Sequence, residues 1–273
     1  MKAVLTYHSL DDSGSPISLT PRVFDTHLAW LTSGRVQPLS LDALMAHPAD
    51  GPDAVAVTCD DGFRNVGEAA ERLLSHDVPV TLFVVTGHIG GTNAWGGRSQ
   101  PGIPTLPLLD WGAIEQLAAR GATIGAHTRT HPVLTALSPT AIDDELHGCL
   151  DDLHRHLGCV SPHLAYPYGA VNAAVARRAA SHFQFGYTTD LRVMGPADDA
   201  LWLPRLDMYY WQAPGALDMW GTPRFSRRLT WLRARRSVRA RLFGGWGPRS
   251  GRELTQRRVL RPRRRRRSRH RAQ

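Results

Sequence analysis

Two short stretches hold most of the groups in this chain that could hydrolyse a bond. "TCDDG" sets Asp60 and Asp61 side by side at the end of an apolar run, with Gly62 letting the chain turn away. "HTRTH" sets His127 and His131 four residues apart, a spacing at which two imidazoles can converge on one metal ion. Pro132 follows at once and disfavours helix at His131, so this pair is expected on a loop. Each motif alone has an ordinary alternative: a helix-capping Asp pair, or two of thirteen histidines that happen to be close. Together they suggest one device. Two His and one Asp make three protein ligands that leave positions open for water and substrate. The other carboxylate is then free to act as a base, because a divalent ion lowers the pKa of bound water from roughly 15.7 towards 7. An acid for the leaving group is still required; separately, His8 stands at the tip of the first apolar run "AVLTYH", where a strand should end.

The elements that must carry these groups alternate. Apolar, β-branched runs occur at "AVLTYH", "AVAVTCDD", "PVTLFVVT", "ATIGAH", "HLAYPYG" and "FGYTTD", with "LWLPRLDM" a weaker seventh. Helical stretches lie between most of them. Thr20 caps one, with Pro21 in its first turn, Phe24, Leu28 and Leu31 on one face and Gly34 beyond its end. Asp110 and Gly121 bracket a second. Ser138, Pro139 and Gly158 bracket a third, with Ile142, Leu146, Leu150, Leu153 and Leu157 as its stripe. Continuous apolar strands alternating with amphipathic helices imply a parallel sheet covered by helices. Seven such runs favour an α/β fold of the distorted (β/α) barrel type, TIM-like with about seven parallel strands, over an open doubly wound sheet. In either fold the carboxyl ends of the strands are where function collects, and His8, the Asp pair, the His pair and "YPYG" all fall there. The Gly- and Pro-rich segment "GHIGGTNAWGGRSQPGIPTLP" is long for a structureless connection and is expected to cover part of that face.

The formal net charge of +9 averages two unlike parts. From Arg224 onward twenty Arg and one Glu give +19, leaving −10 for the preceding residues. The expected division is a catalytic domain over residues 1–215 and an Arg-rich tail over 216–273, an amphipathic helix at first and disordered beyond. Such a tail could attract anionic lipid headgroups or bind nucleic acid without sequence preference, the second being the weaker reading. It could also be an ornament of an Arg-rich composition. Three cysteines, Cys59, Cys149 and Cys159, with no CxxC spacing, argue against a disulfide framework and for a reducing, cytoplasmic setting. No cationic stretch followed by an apolar run opens the sequence, so no signal peptide is expected.

"TCDDG", "HTRTH" and "YPYG", in that order on a βα-repeat chain, resemble the first three motifs of the polysaccharide deacetylases, the NodB-type metal-dependent carbohydrate esterases. The resemblance covers roughly residues 1–210. It implies removal of N-acetyl groups from an amino-sugar polysaccharide, oligosaccharide or glycan precursor, with a divalent metal, zinc by preference. It assigns Asp60 as base and Asp61, His127 and His131 as metal ligands, and gives Tyr168 the third-motif tyrosine role, its backbone N–H helping to bind the oxyanion. The sequence departs from the pattern in three places. Cys59 stands for the usual Phe. The Arg that opens the third motif and holds the base is replaced at Ala165 or Tyr166, so Arg205 of "LPRL" is the candidate for that task. No acid histidine follows the last strand, but a barrel brings its last strand beside its first, so His8 in "VLTYH" is read as that motif permuted to the start. His88, in the long loop, is the next residue that could serve. Rival readings are deacylation of another N-acyl sugar, such as a lipid-linked formamido sugar, and a sugar-binding domain without activity.

Overall fold

A computed structural model describes residues 1–158 and 161–243. Seven parallel strands form its centre: β1 (Lys2–Tyr7), β2 (Ala54–Cys59), β3 (Val80–Val84), β4 (Thr123–Ala126), β5 (His163–Ala165), β6 (Phe185–Leu191) and β7 (Leu203–Asp207). Each pairs with the next, and β1 closes the ring. It pairs with β2 along its length, Lys2 opposite Ala54 to Tyr7 opposite Cys59, and with β7 at Leu5 opposite Leu206. The sheet is therefore a closed barrel, and the weak seventh run is the strand that closes it. Strand β3 joins β2 only from Val57 upward, and a two-residue strand, Gln37–Pro38, pairs with the lower end of β2 instead.

The barrel has its own interior. Val4, Ala56, Phe83, Ala165, Tyr187 and Leu203 make one cluster, sealed at the amino end by Leu41 and Leu44 of helix α2 (Leu41–Ala46). Gly125 on β4 has a packing reason: a Cβ there would sit 2.5 Å from the Phe83 ring, so the aromatic ring occupies the volume a side chain would need. A larger cluster lies outside the strands, under helices α1 (Pro21–Leu31), α3 (Gly67–Ser75), α4 (Trp111–Ala119), α5 (Pro139–Leu157) and α6 (Ala173–Ala179). The caps follow the sequence. Thr20 accepts from the Val23 N–H, Asp110 from Ala113 and Ser138 from Ala141, and Gly158 ends α5 at φ 65°. Cys59 and Cys149 are buried and unpaired; Cys159 lies outside the described residues.

Composition changes at Arg224, and packing does not separate the expected tail from the body at 216. Leu217 is buried, and helix α7 (Pro223–Phe243) buries Phe225, Leu229 and Leu232 in the same outer core. These three recur at i, i+4 and i+7 and so form one stripe, with Phe225 stacked on Trp211 at 4.8 Å. The tail expected to be disordered continues beyond residue 243, outside the described residues. No described helix is long and apolar enough to cross a membrane.

Candidate active site at the carboxyl ends of the strands

Each group singled out in the sequence arrives at this end of the barrel from a different strand. His8 follows β1, Asp60 and Asp61 follow β2, and His127 follows β4. Tyr168 lies in the turn after β5, and Arg205 is on β7. The backbone turns sharply at these points. Five described non-glycine residues have positive φ, and four are here: Asp61 (68°), Thr128 (65°), His131 (61°) and Tyr168 (58°). That region is costly for residues with a Cβ and persists only where surroundings enforce it. The enforcement is visible around His131. Glu145 of α5 accepts the Arg129 and Thr130 N–H groups at 2.9 and 2.8 Å and the Thr130 hydroxyl at 2.5 Å, while the Thr128 hydroxyl accepts the His131 N–H at 3.1 Å.

Asp61, His127 and His131 bring one ligand atom each within 4.8 Å of one another, and all three are buried. Both imidazoles turn Nε2 to Asp61 Oδ1, at 3.4 Å for His127 and 3.2 Å for His131. The Nδ1 of His127 lies 2.7 Å from the Ala165 carbonyl oxygen, so Nδ1 carries the proton. In the neutral ring Nε2 is then a lone pair aimed at a carboxylate oxygen. Asp61 Oδ1 has no hydrogen-bond partner. Lone pairs and anionic oxygen pointed at one another in a buried site fit a cation between them, so these residues can hold a divalent ion. Burial would raise the Asp61 carboxyl, but the two histidines outweigh it and hold the group well below the ordinary carboxylate range. Burial lowers His131, whereas for His127 the two aspartates and the Ala165 carbonyl prevail over burial and raise it.

Asp60 belongs to a second set. Arg205 clasps it with two parallel bonds, Nη1 to Oδ1 and Nη2 to Oδ2, both 2.7 Å, and its Nε donates to the Thr188 carbonyl at 3.0 Å. Asp60 and Arg205 are buried to within 3%, so this is a desolvated bidentate pair with its geometry fixed. Burial pushes Asp60 up; the Arg205 charge, then His127 and His8, reverse that and leave it below the usual range. His8 faces the same carboxylate, with Nε2 3.8 Å from Oδ2. The long loop closes one side. Trp95 stacks on the His131 ring at 4.5 Å, and His88 lies edge-on to Trp95 at 5.0 Å, one ring removed from His131. Gln100 donates to the Tyr168 hydroxyl at 2.9 Å, and the Tyr168 ring packs edge-on against His131 at 4.7 Å.

Residues 47–188, more than half of the chain, match the family model described as polysaccharide deacetylase. The chain belongs to the polysaccharide deacetylase family. Two curated relatives carry deacetylase names. YxkH of Bacillus subtilis (strain 168), named as a polysaccharide deacetylase, is 24% identical over 193 residues, covering 68% of this chain and 64% of its own length. A chitooligosaccharide deacetylase of Rhizobium leguminosarum bv. trifolii is 29% identical over 127 residues, 46% of this chain and 51% of the relative. The chain thus spans between half and two thirds of these relatives. Among solved structures, IcaB from Ammonifex degensii superposes with TM-score 0.66 at 23% identity, over 85% of this chain and 97% of that one. The Streptococcus pyogenes deacetylase PplD gives 0.64 at 23%, over 75% and 91%. At that identity the likeness establishes the deacetylase barrel.

Set against this deacetylase family, the residues that sequence reasoning missed are those that hold others. Glu145 sits in a helix among Asp143, Asp144 and other polar residues, with nothing local to mark it. Trp95 and Gln100 lie in a loop recognised only as a cover. Thr188 offers Arg205 a backbone carbonyl, a contact that no side-chain pattern encodes.

Proposed function

We propose that this chain is a metal-dependent hydrolase that removes an N-acetyl group from an amino-sugar carbohydrate. The observation that carries the reading is the pairing of two adjacent carboxylates with two different environments: Asp60 clasped by Arg205, and Asp61 turned to His127 and His131. A divalent ion, zinc by expectation, held by Asp61, His127 and His131 would supply a Lewis acid that makes water acidic enough for a carboxylate to deprotonate. Asp60 is the base. Arg205 keeps it ionised and fixes both oxygens, so it accepts the water's proton without reorienting. The carbonyl oxygen of the acetamide gathers negative charge during attack, and the Tyr168 backbone N–H is assigned to stabilise it. His8, whose Nε2 faces the Asp60 carboxylate at 3.8 Å, gives a proton to the departing sugar nitrogen, and acetate leaves. The chitooligosaccharide deacetylase among the relatives supports an amino-sugar substrate.

The reading is tested by acetate release from N-acetylglucosamine oligomers, together with metal analysis of the purified protein. About one divalent ion per chain and metal-dependent acetate release are expected. A protein that binds such oligomers and keeps its metal but releases no acyl group would overturn it in favour of a sugar-binding role. Release of formate from a formamido sugar, with none from acetylated oligomers, would correct the acyl group.

A further inference from the structure

Helix α7 has two unlike faces. One packs on the body through Phe225, Leu229 and Leu232 and is tied to it by two arginines. Arg228 donates from Nη2 to the Tyr210 carbonyl at 3.0 Å, and Arg236 from Nη1 to the Thr189 carbonyl at 2.7 Å. Both acceptors lie towards the carboxyl ends of β6 and β7, and the Thr189 hydroxyl in turn donates to the Tyr168 carbonyl at 3.3 Å. The helix is therefore fastened to the rim of the catalytic face.

The other face is open. Trp231 and Val238 are 52% and 53% exposed and are the large exposed hydrophobics among the described residues. Seven residues apart, they fall on one line along the helix. Arg224, Arg227 and Arg235 border that line and are exposed, and the Arg235 guanidinium lies 4.5 Å from the Trp231 ring centroid. No Asp or Glu occurs between Pro223 and Phe243, whereas residues 1–223 carry a net −10. An amphipathic body such as indole settles at a headgroup boundary, and guanidinium groups beside it meet the anionic groups of lipids. A phosphodiester backbone would match the arginines, but nothing in its chemistry rewards an exposed valine in line with them.

We propose that this outer face of α7 docks on an anionic lipid bilayer, with Trp231 and Val238 entering the headgroup region and Arg224, Arg227 and Arg235 meeting lipid phosphates. Docking there sets the rim beside Tyr168 close to the bilayer. It does not rest on the catalytic reading, because it is measured without turnover.

The test uses the full chain with vesicles of phosphatidylglycerol in phosphatidylcholine and with phosphatidylcholine alone, by co-sedimentation at low and high salt. Binding is expected only with the anionic lipid and should weaken with salt. Arg224→Gln/Arg227→Gln/Arg235→Gln should weaken it about a hundredfold, at about fivefold for each arginine at the surface. Trp231→Ser/Val238→Ser should weaken it at least about tenfold. All five positions are exposed, so an unchanged melting temperature is expected and is checked. Acyl-brominated lipid should quench tryptophan fluorescence in the parent chain and not in Trp231→Phe. If the Trp231→Ser/Val238→Ser chain binds as the parent does and bromolipid quenches nothing, the residues beyond 243 carry the attraction and the α7 surface is refuted. A DNA duplex that outcompetes the vesicles in the same buffer would also refute it.

Discussion

Asp60 and Asp61 are chemically identical neighbours in different surroundings, and the proposed division of work between them rests on that difference. Asp60 has a buried arginine on both oxygens, and Asp61 has two imidazoles on one. Asp60→Asn keeps the shape and one of the two Arg205 bonds, through its Oδ1, but cannot accept a proton. It is expected to retain the metal and lose about 10² to 10⁴-fold in kcat, read by metal analysis alongside acetate release; normal turnover would remove Asp60 as base. His8 makes the complementary prediction. Its loss in His8→Ala should slow amide hydrolysis by about 10²-fold or more. The deficit should shrink on an aryl acetate, whose leaving group needs no proton. Equal deficits on both substrates would make His8 a packing residue. Arg205 is a distinct case. Removing it in Arg205→Ala leaves a carboxylate buried without a counter-charge, a defect of about 3–5 kcal/mol in comparable pairs. Chemical denaturation should register that loss whether or not catalysis is assayed.

At the scale of elements, the loop after β4 and the helix that grips it decide whether His131 is where a metal needs it. His131 stands at φ 61° and its Nδ1 has no hydrogen-bond partner. Its orientation therefore depends on the loop backbone, which Glu145 holds through three bonds, and on the Trp95 ring. Glu145→Ala should weaken zinc affinity about 10–100-fold, the range for loss of groups that orient metal ligands. Titration of the metal-free protein measures this directly, and an unchanged affinity would mean the loop is held without Glu145. This also shows what could be read in the sequence. The Asp pair and the His pair are local in the chain, so their spacing is visible; Arg205 could be named only because the third motif lacked its arginine. Glu145, Trp95 and Gln100 act across fifteen residues or more, and folding alone brings them in. The stripe Phe225, Leu229 and Leu232 was legible at helical spacing, but the arginines around it dominated the composition and masked its apolar face.

The whole molecule depends on joining its first strand to its last, because one open seam would turn the barrel into a sheet with two exposed edges. The backbone pairing there is short, Leu5 with Leu206 and Thr6 with Asp207. A buried side chain reinforces it: His27 of α1 lies 3.2 Å from the Tyr7 hydroxyl at Nδ1 and 3.2 Å from the Trp211 carbonyl at Nε2, linking the end of β1 to the turn after β7. Burial lowers the His27 pKa to about 4, against the partial opposing effect of the Trp211 carbonyl. Above about pH 6.5 the ring is neutral in both folded and unfolded chains and costs nothing. Between about 6.5 and 4 the unfolded chain takes up a proton that the folded one refuses, so stability falls as pH falls, by about 3 kcal/mol once the lower value is passed. His27→Gln keeps a polar group between the two partners but cannot titrate. Urea denaturation of both proteins at pH 7.5 and 4.5, with chelator present so that metal release does not contribute, should show the parent losing about 2–3 kcal/mol more than the variant across that interval. Equal losses would mean that the seam accommodates a charged imidazole, with water or the Tyr7 hydroxyl reaching it, and that closure of the barrel does not depend on the state of this ring.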